Sequence, residues 1–260
     1  MFRVFVNIRN YLVLVLFLLF TRQALAHQVV HVGGYNFPPY LTQAESEHPE
    51  GLLIDLLAVL NKQQQEYRFV LVPTSVTRRY QDLSSGRFDM IFFESPEWGW
   101  QDTAHVPLDL HIADSEVYVA KAAPGRDQGY FDTFGGKRLA LYSGYHYGFA
   151  EFNADRDYLR QHYQAEFSYS HDSNLQKVLH GRADIAVVTH SFLDIFFEQN
   201  SGSAEQLLVS VKKDQVYHHQ ALLRPGTPLS AQKLQSLLQQ LSQKGHLKTL
   251  LQRYHLSEQP

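Results

Sequence analysis

The chain has 260 residues, 44% of them hydrophobic and 19% charged, and no cysteine, a balance that describes a folded globular protein and excludes a disordered or fibrous one. Without cysteine there is no disulfide scaffold, thiolate nucleophile, zinc ribbon, iron–sulfur site or lipidated N-terminal cysteine, and packing alone must hold the fold. The formal charge is −3 and no basic block could neutralise a run of phosphates, so nucleic acid is not an expected partner.

Arg3 and Arg9 precede an unbroken apolar run from Tyr11 to Phe20, and Ala24-x-Ala26 ends the segment as a small-residue cleavage site. This is the grammar of a secretory signal peptide over residues 1–26. The competing reading is a membrane anchor, but the run is far short of the ~20 residues of a spanning helix. Cleavage would make His27 the first mature residue and leave 20 basic residues against 26 acidic ones. With no second long apolar segment, the expected destination is the periplasm, in soluble form.

Val29 to Val32 reads as a strand, and residues 51–65 place Leu52, Leu53, Leu56, Leu57 and Leu60 on one helical face. A strand follows over Tyr67–Val72, a polar helix over Thr77–Ser85 closed by Gly86, and an apolar strand over Phe88–Phe93. A second unit repeats this grammar: strand Arg138–Tyr142, helix Asp155–His162, strand Ala165–Tyr169, helix Ser173–His180 stopped by Gly181, and strand Asp184–Val188. The βαβαβ order implies parallel sheet with covering helices. Helix-Gly-x-x-Asp-strand occurs twice, around Gly86 and Asp89 and around Gly181 and Asp184. Leucine stripes over residues 228–243 and 246–254, with Gly245 between, predict two amphipathic helices packed on the core.

The signal peptide, Gly34-Tyr35-Asn36-Phe37-Pro38-Pro39-Tyr40, Gly51-Leu52-Leu53-Ile54-Asp55-Leu56-Leu57, the paired Gly-x-x-Asp elements, Gly136-Lys137-Arg138-Leu139-Ala140 with Ser143-Gly144, and Gln243-Lys244-Gly245-His246-Leu247 together resemble family 3 of the bacterial extracellular solute-binding proteins. The resemblance implies the two-lobed α/β periplasmic-binding-protein fold of type II. Lobe 1 would be residues 27–117 completed by 219–260, lobe 2 residues 118–218, and the hinge strands Glu116–Lys121 and Gln215–Leu222. It also implies a monomer that traps a small-molecule ligand between its lobes for an inner-membrane ABC permease or a sensor, with no cofactor.

In that family's amino-acid binders an arginine shortly after the first Gly-x-x-Asp strand clamps the ligand carboxylate, and an aspartate ending the second such strand holds its ammonium. A guanidinium fork and a carboxylate are suited to those tasks. Counted without gaps, Gln101 stands in the arginine's place and Thr189 in the aspartate's, with His190 beside it. The expected site is therefore aromatic and neutral with at most one charged anchor, which favours a small polar or amine-bearing solute over an ordinary α-amino acid. Tyr35, Phe37 and Tyr40 follow the first strand, where open α/β sheets bind ligands, although packing around the two prolines would equally account for them. Glu94, Ser95 and Trp98 occupy the family's principal ligand loop, with Glu94 as a cation anchor and Trp98 as a stacking face; a solvated acid and a wedge tryptophan is the alternative. Ser143, Tyr145 and His146 form the corresponding turn of lobe 2, or else an aromatic cluster against Phe149 and Phe152. Arg78 begins the second helix and is a substitute carboxylate clamp or a structural ion pair.

Other functions stand beside this one. Cyclohexadienyl dehydratases resemble these binders, and such an enzyme would need an acid or base in the cleft, for which Glu94 or His190 could serve. The 14 histidines suggest metal binding, but they are scattered, and the one adjacent pair, His218-His219, would face opposite ways on a strand.

Overall fold

In the computed structural model, residues 27–259 are described; the signal peptide expected over residues 1–26 lies outside them. The first half contains β1 (Gln28–Gly34), α1 (Leu52–Gln63), β2 (Tyr67–Pro73), α2 (Arg79–Ser84) and β3 (Met90–Glu94). Strand β4 (Val106–Lys121) leads to β5 (Leu139–Tyr142), α3 (Arg156–Tyr163), β6 (Ala165–Ser168), α4 (His171–Leu179), β7 (Ile185–Thr189), α5 (His190–Gln199) and α6 (Ser203–Gln206). Strand β8 (Leu207–Leu223) returns the chain, and α7 (Ala231–Gln243) and α8 (His246–Gln252) close it. Each periodic segment read from the sequence is present. Helices α5 and α6 are additions to that reading.

One sheet of eight strands runs β2-β1-β3-β8-β4-β7-β5-β6. Its outer trios are parallel and face the central antiparallel pair β4–β8. That pair is far longer than hinge strands limited to 116–121 and 215–222, and its register shifts between Asp109 and Ala113 and again on either side of Val117. The C-terminal helices fold back on the first half: α8 packs on α1, and Tyr254 Oη donates to Asp55 at 2.8 Å.

The repeated Gly-x-x-Asp element has a structural cause. Asp89 N–H donates to His31 O at 2.8 Å, and the Asp89 carboxylate accepts the His31 N–H at 2.9 Å. Asp184 makes the same exchange with Arg138, at 2.9 Å and 2.8 Å. Each aspartate thus fixes the register of its strand against the first strand of its half, and each meets a guanidinium, Asp89 that of Arg224 at 2.9 Å and Asp184 that of Arg138 at 3.0 Å. The exchange occupies Asp89 and Asp184, and β3 and β7 begin one residue after them, at Met90 and Ile185.

Asp89 is the more buried of the two acids, so its bonds are the more costly to lose. Urea denaturation is expected to show Asp89→Ala losing about 2–3 kcal/mol and Asp184→Ala about 1 kcal/mol.

Candidate functional site

The loop from Tyr35 to Tyr40 leaves the carboxyl end of β1 and is tied to the start of α1, where Leu53 N–H donates to Tyr40 O at 2.8 Å. Gly51 permits this approach: its φ is +121° and a Cβ there would sit 2.7 Å from Tyr40 O. The loop holds Phe37 edge-on to Trp98 at 5.6 Å and to Tyr145 at 5.5 Å, a ring from each half of the molecule. Tyr35, Phe37, Trp98 and Tyr145 wall a small cavity, completed by Arg79, Glu116, His146 and Gln215.

The floor of this cavity is a cross-strand row. Glu116 of β4 lies opposite Gln215 of β8 and opposite Thr189 of β7, and directly opposed residues in antiparallel pairs point to the same face. Gln215 accepts from Trp98 Nε1 at 3.1 Å and donates to His146 O at 2.6 Å, joining the two cleft loops. Glu116 Oε1 accepts from Thr189 Oγ1 at 2.9 Å and from Tyr217 Oη at 3.2 Å. Its other oxygen, Oε2, is buried without a partner. Burial pushes the Glu116 carboxyl well above the usual carboxylate range; Thr189 opposes this, and Asp114 and Asp214 add to it.

Glu94 occupies a different position from the one its sequence context suggests. It is fully buried, pairs with Arg79 Nε at 3.2 Å and accepts from Trp100 Nε1 at 2.8 Å. Arg79 also donates to Trp98 O at 3.2 Å and to Val76 O, and its guanidinium lies over the rings of Tyr80, Tyr35 and Trp100 at 4.3, 5.1 and 5.6 Å. Burial acts to lower the Arg79 pKa, but Glu94 beside it holds the guanidinium above its ordinary value. The pair is a neutralised unit, so Glu94 cannot anchor a cation as expected.

Other expectations are corrected in the same way. Arg78 is exposed while its neighbour Arg79 lines the cavity, because the turn before α2 directs position 79 inward. His190 starts α5 and faces a rear groove with Asp194, His218 and His255, away from the cleft. Gln101 is exposed and donates to Pro96 O at 2.9 Å. Tyr40 donates to Asp114 at 2.7 Å and packs in the core beside His219. Ser95 is buried against Glu97, and Thr189 reaches the site only through Glu116. Tyr35, Phe37, Trp98, Tyr145 and His146 line the inner cavity, and Ser143 an adjoining outer one. His146 is held neutral, burial and then Arg79 lowering its pKa to about 4. Residues unrecognised in the sequence are Arg79, Glu116 and Gln215. An acid immediately before the apolar stretch Val117–Ala120 is the available signal for Glu116.

A sheet whose two halves meet at a long central strand pair, with a walled cavity between them, is the type II periplasmic binding fold. Residues 117–258 match the family model described as the periplasmic substrate-binding protein of a phosphonate ABC transporter, and the chain belongs to this family. Among solved structures, the chain is similar to an ancestral amino acid-binding protein, AncCDT-1, a precursor of cyclohexadienyl dehydratase: identity is 16%, coverage 87% of this chain and 94% of that one, and the TM-score 0.64. A putative ABC transporter binding component from Wolinella succinogenes complexed with lysine is 18% identical over 86% of this chain and 94% of its own, with a TM-score of 0.65. The probable amino-acid ABC transporter extracellular-binding protein YtmK from Bacillus subtilis is 17% identical over 88% and 98%, with a TM-score of 0.64. At these identities the likeness is one of fold. No curated protein sequence matches the chain.

The Arg79–Glu94 pair makes a stability prediction. Arg79→Met strands a buried carboxylate and is expected to cost about 3–5 kcal/mol in urea denaturation, whereas Arg79→Met with Glu94→Leu recovers most of that loss.

Proposed function

We propose that this is a periplasmic solute-binding protein that closes two lobes around a small amine-bearing solute and delivers it to an ABC-type importer. The observation that carries the reading is Glu116, which lines a cavity walled largely by aromatic rings and whose Oε2 is a buried oxygen without a partner. An ammonium group would supply the missing donor, and rings such as Tyr35 and Trp98 favour a cation over an anion. The reading makes the protein a binder and not an enzyme: the cavity's other charged pair, Arg79 and Glu94, is self-neutralised, and His146 is held neutral.

In this reading residues 27–117 with 219–260 form one lobe and residues 118–218 the other, acting as a monomer. The hinge lies in β4 and β8 where their register shifts beside Glu116, and closure brings Trp98 of the first lobe onto Gln215 of the second. A ligand drives such closure only by contacting both lobes better when they are closed. The same closed form would serve a membrane sensor, and co-purification of a permease from the native membrane supports import over sensing.

The test uses calorimetry with ethylamine. Glu116→Gln is expected to weaken binding about 10–100-fold, the worth of one charge-assisted bond. Because burial raises the Glu116 pKa, ammonium docking releases a proton wherever the pH lies below that raised value, and affinity there should rise up to about tenfold per pH unit. The sign for stability is opposite. A carboxyl whose pKa is raised by folding stabilises at low pH, and that contribution is lost as pH rises above its unfolded value. Glu116→Gln should therefore raise Tm at pH 7.5 by about 2–4 °C. Ethylamine binding that ignores Glu116→Gln overturns the reading.

A further inference from the structure

Strand β2 ends the sheet: among the described residues it pairs with β1 alone. Gln28 N–H donates to Glu66 O and Thr74 N–H to Gly34 O, both at 2.9 Å, so the even-numbered residues turn their backbone groups toward β1. Along a strand these groups face alternate edges, and those of Tyr67, Phe69, Leu71 and Pro73 therefore face outward. The segment Tyr67-Arg68-Phe69-Val70-Leu71-Val72 is apolar and rich in aromatic and β-branched residues, with a single charge, the composition of an edge that recruits strands from other chains. One of its faces is also open, since Arg68 is exposed and Val70 is 37% exposed.

The outward groups are nevertheless taken, and by side chains. Asn61 of α1 accepts from Phe69 N–H at 2.8 Å and donates to Phe69 O at 2.9 Å. Gln64, at the end of α1, does the same for Tyr67 at 2.7 and 2.6 Å. Each planar amide thus presents an acceptor and a donor together, as one residue of an antiparallel neighbour would. Pro73 has no N–H to offer, and its carbonyl accepts from the Arg87 guanidinium at 3.1 Å. Of the outward positions, Leu71 alone has neither group met by a side chain among the described residues. Asn61 and Arg87 are exposed, so water reaches this edge and could serve the same groups. Fixing three side chains to do so costs rotamer freedom, which points to a use beyond hydrogen-bond satisfaction.

We infer that Asn61, Gln64 and Arg87 are edge guards that keep the protein monomeric, and that the partner they exclude is β2 of a second copy. Two such edges related by a twofold axis would pair antiparallel, each segment from Tyr67 to Val72 against its counterpart, and join the two sheets. With the guards in place only Leu71 is free to pair, which is too little for a ladder. The inference goes beyond the ligand reading and does not depend on Glu116.

The test opens the edge with Asn61→Leu plus Gln64→Leu and reads mass by light scattering at about 1 and about 100 μM, the range in which weak pairs form. The unaltered protein is expected to stay monomeric at both concentrations. The double variant, shown to be folded by circular dichroism, is expected to reach twice the monomer mass or more at the higher one. Because the chain has no cysteine, one introduced thiol locates the contact. With Val70→Cys, a short bismaleimide should capture the double variant as a dimer about fivefold more than the protein carrying Val70→Cys alone, since cross-strand neighbours lie within its reach. Val211→Cys, at a position 81% exposed on β8, should show no such gain. If the double variant does not fold, Asn61→Leu alone is read in the same two ways. A folded variant, double or single, that stays monomeric at the higher concentration overturns the inference, as does capture through position 211 equal to that through position 70.

Discussion

Antiparallel pairing of β4 with β8 is the constraint on which the rest of the molecule depends. These are the only strands among the described residues that belong to both halves of the sheet, one leading out of the first half and the other returning to it. Because directly opposed residues of antiparallel strands share a face, the register that places Glu116 against Gln215 and Thr189 also decides what the cavity floor is made of. A shift of one residue would turn Glu116 away from the cavity and bring Ser115 or Val117 to its position. The site is thus a property of backbone pairing first and of side-chain chemistry second.

The electrostatics of the cleft follow from two different treatments of buried charge. Arg79 and Glu94 neutralise each other, Glu94 Oε1 lying 3.2 Å from Arg79 Nε without a hydrogen bond of its own, with Trp98, Val76 and Trp100 supplying further bonds. Glu116 has hydroxyl partners on one oxygen and no cation. An isolated carboxylate in such surroundings is costly and holds a proton instead, which is the condition of a group built to be completed by something else. The contrast separates structural charge from available charge more sharply than proximity does, since Arg79 and Glu116 line the same cavity.

Much of the fold was legible because it depends on local patterns: leucine periodicity gave α1, α7 and α8, and the repeated Gly-x-x-Asp gave the strand that follows each short helix. The aromatic wall was legible for a similar reason, since Tyr35, Phe37, Trp98 and Tyr145 lie in loops at strand ends, where the direction of the chain is known. The anchors were not. Whether Arg78 or Arg79 faces inward depends on the turn in which Arg79 N–H donates to Ser75 O, and periodicity over so short a helix does not fix its phase. Glu94 looked available because its ion-pair partner lies 15 positions earlier. Glu116 stands 73 positions from Thr189 in the chain, and only the register of β4 on β7 brings them together. A gapless count along one strand finds a lost aspartate at Thr189; it cannot find a carboxylate one strand across.

The layer behind Glu116 explains why one of its carboxyl oxygens is left without a partner. Thr189 Oγ1 has a single proton, and donating it to Glu116 Oε1 leaves the hydroxyl oxygen as an acceptor toward His171 Nε2, 3.2 Å away. Burial lowers the His171 pKa to about 3, so the ring is neutral and carries its one proton on Nε2, leaving Nδ1 the buried atom without a partner. Proton donation then runs in one direction, from His171 through Thr189 to Glu116, and ends on Oε1, with Tyr217 donating to the same atom. Both hydroxyl donors converge on one oxygen, which fixes the plane of the carboxyl group and leaves Oε2 unpaired. Thr189 thus works as the support of the Glu116 carboxyl on the neighbouring strand.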